Sequence, residues 1–215
     1  MIKRIVIFGM VLFGFVLLTP LLDQYVAKLA YNETTRSFYG ETHFWCQAIY
    51  RFVPFITASI ISIMLMRIIG VKLFKLNAIS RKNALIILLC LALGPGLMVN
   101  YIFKNHWGRP RPYQVLRDGQ TYRAVWQPQF NMPNNNSFPS GHASIGFFLG
   151  VPFLVALKRK KAIIIGSAAG MFIGLVRILQ GGHYLSDVVL CGVLIYIVSE
   201  LIIYMVNRID WPRKE

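Results

Sequence analysis

Two histidines in this sequence stand where an imidazole could do covalent chemistry. His183 lies in QGGHYLSD, residues 180–187, six positions after Arg177 and four before Asp187. At that spacing the carboxylate can take one ring N–H, fix the tautomer and leave the other nitrogen's lone pair free to attack phosphorus. The pair reads equally as a plain contact on one helix face, since i,i+4 neighbours meet there. Gly181 and Gly182 allow a tight reversal and a close approach of backbone to substrate.

His142 lies in PSGH, residues 139–142. Ser140 is a good N-cap and Gly141 clears space, so the free N–H groups of a helix start there could cradle a phosphate. His142 in the first turn could protonate a leaving oxygen. Pro and Ser also open helices that bind nothing. A third stretch, KNHWGRPRP at 104–112, sets Lys104 and Arg111 seven positions apart, with Pro110 and Pro112 stiffening the chain. A guanidinium grips phosphate oxygens as a fork and an ammonium acts as a point charge. Arg109 adds a third cation, read here as a contact for a second anionic group, while His106 and Trp107 read as residues of the headgroup boundary. Contact with lipid headgroups explains one or two of these cations, but not their convergence with two histidines. One carboxylate among many cations suits an anionic substrate; magnesium wants several oxygen ligands. No metal and no cofactor are expected.

These groups have to be held by elements suited to lipid. Of the 215 residues 56% are hydrophobic and only 14% charged, too apolar for an ordinary soluble domain. Six runs approach the roughly 20 residues a bilayer-crossing helix needs: Ile5–Leu22, Phe52–Gly70, Asn83–Phe103, Gly141–Leu157, Ala162–Leu179 and Asp187–Asn207. They are expected to be helices, because unpaired backbone amides are not tolerated in lipid. The net charge of +15 would suggest nucleic acid in a soluble protein. Here the cations gather at alternate ends of the runs: Lys3 and Arg4; Lys72, Lys75, Arg81 and Lys82; Lys158–Lys161; Arg208, Arg213 and Lys214. That is the pattern that sets membrane topology, so no nucleic-acid partner is expected. The reading is an all-α integral membrane protein, one domain over 1–215 with six transmembrane helices and both termini cytoplasmic. The first run, preceded by Lys3 and Arg4 and followed by no small-residue cleavage site, reads as an uncleaved anchor.

Residues 23–51, 104–140 and 180–186 then face the other side, so all three reactive stretches do. The aromatic segment 23–51 reads as an interfacial belt, with a short interfacial helix guarding lateral access of a lipid as the sharper version. Residues 104–140 read as a long structured loop at the active site. Pro95 is expected to kink the third run. Glu200 reads as an interhelical partner or a snorkelling side chain, and Arg67 as snorkelling. Cys46, Cys90 and Cys191 show neither paired nor metal-like spacing.

Taken together, the three stretches resemble the type 2 phosphatidic acid phosphatase superfamily, membrane lipid phosphatases related to vanadium haloperoxidases. The family pattern is Lys-x6-Arg-Pro, Pro-Ser-Gly-His, then Ser-Arg-x5-His-x3-Asp. Lys104 with Arg111-Pro112, then Pro139 to His142, then Arg177, His183 and Asp187 match it in order and spacing. One position departs: Val176 stands where the family has serine. The resemblance implies His183 as nucleophile, Asp187 orienting it and His142 as general acid. Lys104, Arg111, Arg177 and the amides near Ser140 and Gly141 would bind the phosphoryl oxygens, without metal. Within the superfamily the strings GPGLMVNYIFKNHWGRPRP and LQGGHYLSDVV are similar to the bacterial lipid A phosphatase branch. That implies removal of the 4′- or 1-phosphate of lipid A, or of a phosphate of another membrane phospholipid, at the periplasmic face of the inner membrane. Undecaprenyl pyrophosphate and phosphatidylglycerophosphate phosphatases share the core motifs. A lipid-to-lipid phosphotransferase would use the same phosphohistidine. A lipid or anion transporter would need polar residues across the membrane, and few are present.

Overall fold

The computed structural model describes residues 2–70, 79–130, 132 and 134–208. Lys72, Lys75, Arg213 and Lys214, and the side chains of Lys3 and Arg4, lie outside the described residues. The chain begins with α1 (Ile2–Leu29), a two-residue hairpin of β1 (Tyr31–Asn32) and β2 (Ser37–Phe38), the single turn α2 (Tyr39–Thr42), and α3 (Phe44–Ile69). Next come α4 (Arg81–Leu91), a π-helical segment (Ala92–Phe103), α5 (Lys104–His106) and α6 (Pro112–Leu116). The chain closes with α7 (Gly141–Phe148), α8 (Val151–Val155), α9 (Arg159–Leu179) and α10 (Leu185–Arg208).

Among the described residues, five continuous helices are long and apolar enough to cross a membrane: Val6–Leu29, Phe44–Ile69, Arg81–His106, Arg159–Leu179 and Leu185–Arg208. The sixth expected run, Gly141–Leu157, is a shorter apolar helix ending at Val155 and interrupted at Leu149–Gly150. Pro152 accounts for the break: it has no N–H to bond the carbonyl of Phe148, and its ring crowds that oxygen. Pro95 acts more gently. The helix continues through it with wider winding, and the Asn100 carboxamide donates to the Pro95 carbonyl at 2.7 Å. Wider turns relieve the clash a proline ring makes in a regular helix.

Elsewhere the sequence-based boundaries move outward. α1 runs seven residues past Leu22 and α3 starts eight before Phe52, so the interfacial segment is the short stretch from Ala30 to His43 and not all of 23–51. Most of its expected aromatic belt is helix.

Small residues let the central helices touch. Gly166, Gly170 and Gly174 lie four apart on one stripe of α9. Gly170 lies under the Phe147 ring, and Gly174 lies against Val188 of α10. Without a hydrophobic force between helices in lipid, such close backbone approach is what drives packing. Ile87, Cys90, Phe148, Cys191 and Ile195 fill the resulting core and are fully buried or nearly so. Cys46 is also buried.

The bundle has two chemically different ends. At one end lie Arg67, Arg81, Lys82, Lys158–Lys161 and Arg208. Arg67 closes a helix end by donating to the Ile79 carbonyl at 2.6 Å, and Arg159 pairs with Glu200 across α9 and α10 at 3.1 Å. At the other end the C-termini of α1, α5 and α9 meet the N-termini of α3, α7 and α10.

Candidate active site

All three reactive stretches arrive at this second end. α9 finishes with Arg177 in its last turn, and the chain reverses through Gly181, whose φ of +64° is the left-handed conformation glycine adopts without cost. The Gly182 amide returns to the Arg177 carbonyl at 3.0 Å and the Gly181 amide to Ile178 at 2.9 Å. α10 then begins at Leu185, so His183 precedes the helix and Asp187 sits in its first turn.

Backbone bonds lock the stretches to one another. The Tyr113 amide donates to the Gly181 carbonyl at 3.1 Å, Ser137 to Arg109 at 2.9 Å, and Ser140 to Asp187 at 3.3 Å. The described residues of the long loop are tied down by hydrogen bonds. The Trp107 indole donates to the Val125 carbonyl at 2.8 Å, and the Gln129 amide donates back to Trp107 at 2.9 Å. Gln114 accepts from the Arg111 amide at 2.7 Å and donates to Asn134 and Asn135 at 3.2 Å.

His183 is almost wholly buried, at 1% exposure. Its Nδ1 lies 2.5 Å from the carbonyl oxygen of Ser137 and 3.9 Å from Asp187 Oδ2. The expected direct hydrogen bond to Asp187 is therefore replaced by one from Nδ1–H to a backbone carbonyl. His183 lies ahead of the helix, so the pair is not held by regular i,i+4 helix geometry. The result is the same tautomer, with the Nε2 lone pair free. Burial, then the charges of Arg177, Arg111 and Lys104, hold the ring well below the ordinary value of 6.5, against the opposing pull of the Ser137 carbonyl. The imidazole is neutral at pH 7, as a nucleophile must be.

Those three cations surround both histidines. The charges of Arg177, Lys104 and Arg111 also fall on His142. Arg111 Nε and Arg177 Nε are buried without a hydrogen-bond partner. Buried donors of this kind normally find an acceptor, so these two guanidinium N–H groups are free to take one. Arg177 is steadied by Gln180, whose side-chain oxygen accepts from it, and by the Tyr50 ring, 4.6 Å from its guanidinium carbon. The same ring stacks on His142 with centroids 4.3 Å apart.

Ser140 caps α7 by accepting from the Ala143 amide at 3.4 Å, and its own amide is taken by Asp187. The expected amide cradle is left to Gly141 and His142, beside Asn100 and Lys104. Val176, the departure from the family pattern, is buried at 1% exposure and lies one residue before the cation. His106 sits on the rim, bonded to the Ile102 carbonyl at 2.7 Å. Among the described residues no group of three or more His, Cys, Asp or Glu side chains is placed to hold a metal ion.

Arg109 does not point at a second anionic group. It is fully buried, donating to Asp187 Oδ1 at 2.5 Å, to Asp23 Oδ2 at 2.8 Å, to Ser186 Oγ at 2.8 Å and to the Arg123 carbonyl at 3.0 Å. Burial works against its charge, but Asp187, Asp23 and Tyr122 outweigh that and hold the guanidinium above its ordinary value. Sequence reasoning missed three residues here. Asp23 gave one signal, an acid directly after an apolar run, where a charge marks a partner. Ser137 and Tyr50 gave none, since serines fill loops and tyrosines fill interfaces.

The PAP2 superfamily pattern matches residues 83–211. The Lipid A 4'-phosphatase of Francisella tularensis subsp. novicida (strain U112) is 37% identical over 205 residues, covering 90% of each chain. The Lipid A 4'-phosphatases of Rhizobium leguminosarum and Rhizobium etli are 35% and 36% identical over 104 residues, 46% of this chain and 45% and 40% of theirs. No solved structure matches at a significant level. The matched region contains Lys104, Arg111, His142, Arg177, His183 and Asp187 alike, and on this footing the chain belongs to the PAP2 superfamily.

Proposed function

We propose that this protein is a lipid A phosphatase that removes the 4′-phosphate through a phosphohistidine at His183. One observation carries the chemistry: a neutral, carbonyl-anchored imidazole and a second histidine lie within the field of the same three cations. Similarity along 90% of the chain to a Lipid A 4'-phosphatase supports the choice of lipid.

Each step follows from the groups present. Lys104, Arg111 and Arg177 hold the phosphoryl oxygens, with the Gly141 and His142 amides at the start of α7 adding donors. Nε2 of His183 attacks phosphorus as the bond to the sugar oxygen breaks. The bound phosphate's negative charge offsets the three cations, so His142 is protonated in the complex and gives that oxygen its proton. The developing ring charge on His183 is met by the Ser137 carbonyl and, behind it, by Asp187. Neutral His142 then takes a proton from water, whose oxygen attacks phosphorus and frees His183 and inorganic phosphate. The cations stabilise charge on the equatorial oxygens throughout. Asp187 positions the imidazole through Ser137, whose hydroxyl donates to Asp187 Oδ2 at 2.6 Å.

The chain is read as a single membrane-embedded domain with six spans, α7 and α8 together forming the short one, in a bacterial inner membrane. The cations gathered at the end opposite the site support cytoplasmic termini and a periplasmic site. Purified protein given lipid A in detergent should release inorganic phosphate, and the lipid should lose one phosphate from the 4′ carbon as assigned by fragmentation. A His183→Ala variant with unimpaired turnover would remove the mechanism. Loss of the 1-phosphate alone would remove the positional assignment.

A further inference from the structure

Helix α1 lies outside the region matched by the superfamily pattern, yet it sends one ionisable side chain into the protein's interior. Asp23 is fully buried, and both its oxygens are engaged. Oδ1 accepts from the Ser186 amide at 2.8 Å; Oδ2 accepts from Ser186 Oγ at 2.6 Å, from Arg109 at 2.8 Å and from the Tyr122 hydroxyl at 3.3 Å. Arg109 hands the connection to Asp187, Asp187 to the Ser137 hydroxyl, and the Ser137 carbonyl to His183 Nδ1.

We propose that Asp23 is a positioning residue for catalysis, and that α1 thereby forms part of the active site. The argument is one of charge. Arg109 and Asp187 alone would form a neutral pair. The ring of His183, as it gains positive character on attacking phosphorus, would then face Lys104, Arg111 and Arg177 with only a neutralised pair behind it. Asp23 takes up the second face of the Arg109 guanidinium, so the buried cluster of two carboxylates and one guanidinium keeps one net negative charge. That charge lies behind the imidazole, with Asp187 Oδ2 at 3.9 Å. The hydroxyls of Ser186, Ser137 and Tyr122 and the amides of Tyr184 and Ser186 solvate it without neutralising it. Buried charge is retained only when it is so paired and hydrogen-bonded.

The proposal rests on the phosphohistidine reading, and its test separates the two. Asp23→Asn preserves shape and removes the charge. It should lower kcat with lipid A about 10- to 100-fold, the size known for partners that orient a reacting ligand from behind, with KM little changed because Asp23 does not touch the phosphate. It should also move the acidic limb of the kcat/KM profile to lower pH. The charged groups facing His183 are Arg177, Arg111, Lys104 and Asp187, with Arg109 behind Asp187, so losing a negative charge disfavours the imidazolium. A role confined to folding does not move that limb in protein that remains folded. Should Asp23→Asn not fold, Asp23→Ser, which also removes the charge and keeps a hydroxyl for Arg109 and the Ser186 amide, should shift the limb the same way. Unchanged kcat and an unchanged limb, in Asp23→Asn or in that substitute, overturn the proposal even where His183→Ala is inactive. An active His183→Ala overturns the mechanism beneath it.

Discussion

His183 is anchored by Ser137: Nδ1 lies 2.5 Å from the Ser137 carbonyl, while the same residue's hydroxyl donates to Asp187 at 2.6 Å. A loop residue thus stands between the nucleophile and the carboxylate expected to orient it. Ser137→Ala leaves the carbonyl but frees it from Asp187. A buried hydrogen bond to a charged group contributes about 1.5–3 kcal/mol, so kcat should fall about 10- to 100-fold with KM nearly constant, as steady-state kinetics will report.

The neutrality of His183 sets a pH dependence. Burial and three cations depress its protonation below the ordinary 6.5. Since the neutral ring is the active form, activity persists as pH falls through 6.5 and is lost only further down. The acidic limb of kcat/KM, which reports the free enzyme, should therefore lie below 6.5. The same sign holds for stability: the unfolded chain takes up this proton first, so the native state loses stability as pH drops below about 6.5. A limb above that value contradicts the assignment.

Replacing Arg111 distinguishes charge from geometry. On the proposed mechanism its buried, unpartnered Nε makes a directed contact to phosphate. Arg111→Ala should cost about 100- to 1,000-fold in kcat/KM, the range for one lost transition-state donor. Arg111→Lys should recover little of it, because an ammonium lacks the fork. Initial rates with lipid A decide both.

Much of this was legible beforehand, for reasons visible in single residues. Lys104, Arg111, Arg177 and His183 stood out because charged and ionisable groups are scarce in so apolar a chain and these recur at helix ends. Arg109 was misread because a cation in a basic stretch looks like a ligand contact until its carboxylate is known. That carboxylate, Asp23, is 86 residues away in the chain, and no local pattern reports such a pairing. Helix ends were underestimated where polar or aromatic residues interrupt an apolar run yet find buried partners, as Asp23 does in α1.

Gly182 offers a test of packing around the cations. A Cβ at this position would fall on the Arg177 guanidinium. Gly182→Ala should displace that fork, and misplacement by about 1 Å can cost about 100-fold. The variant should approach the activity of Arg177→Ala while remaining folded, measured by kcat/KM beside a thermal melt.

Tyr50 steadies both His142 and Arg177 with one ring. Tyr50→Leu removes the stack and the cation–π contact, the latter worth about 0.5–2 kcal/mol, and should lower kcat/KM about 3- to 30-fold. Tyr50→Phe, which keeps the ring, should lose much less. Equal losses in the two variants would place the hydroxyl, not the ring, in the site.

The central claim is that His183 carries the phosphoryl group. Protein mixed with lipid A labelled at the 4′-phosphate, stopped within a turnover and kept alkaline, should yield a labelled peptide containing residues 180–187 with the phosphate on His183. The label should vanish in His183→Ala and build up when His142 is replaced and water attack slows. Phosphate on any other side chain, or turnover with no phosphopeptide under conditions that preserve phosphohistidine, would contradict it.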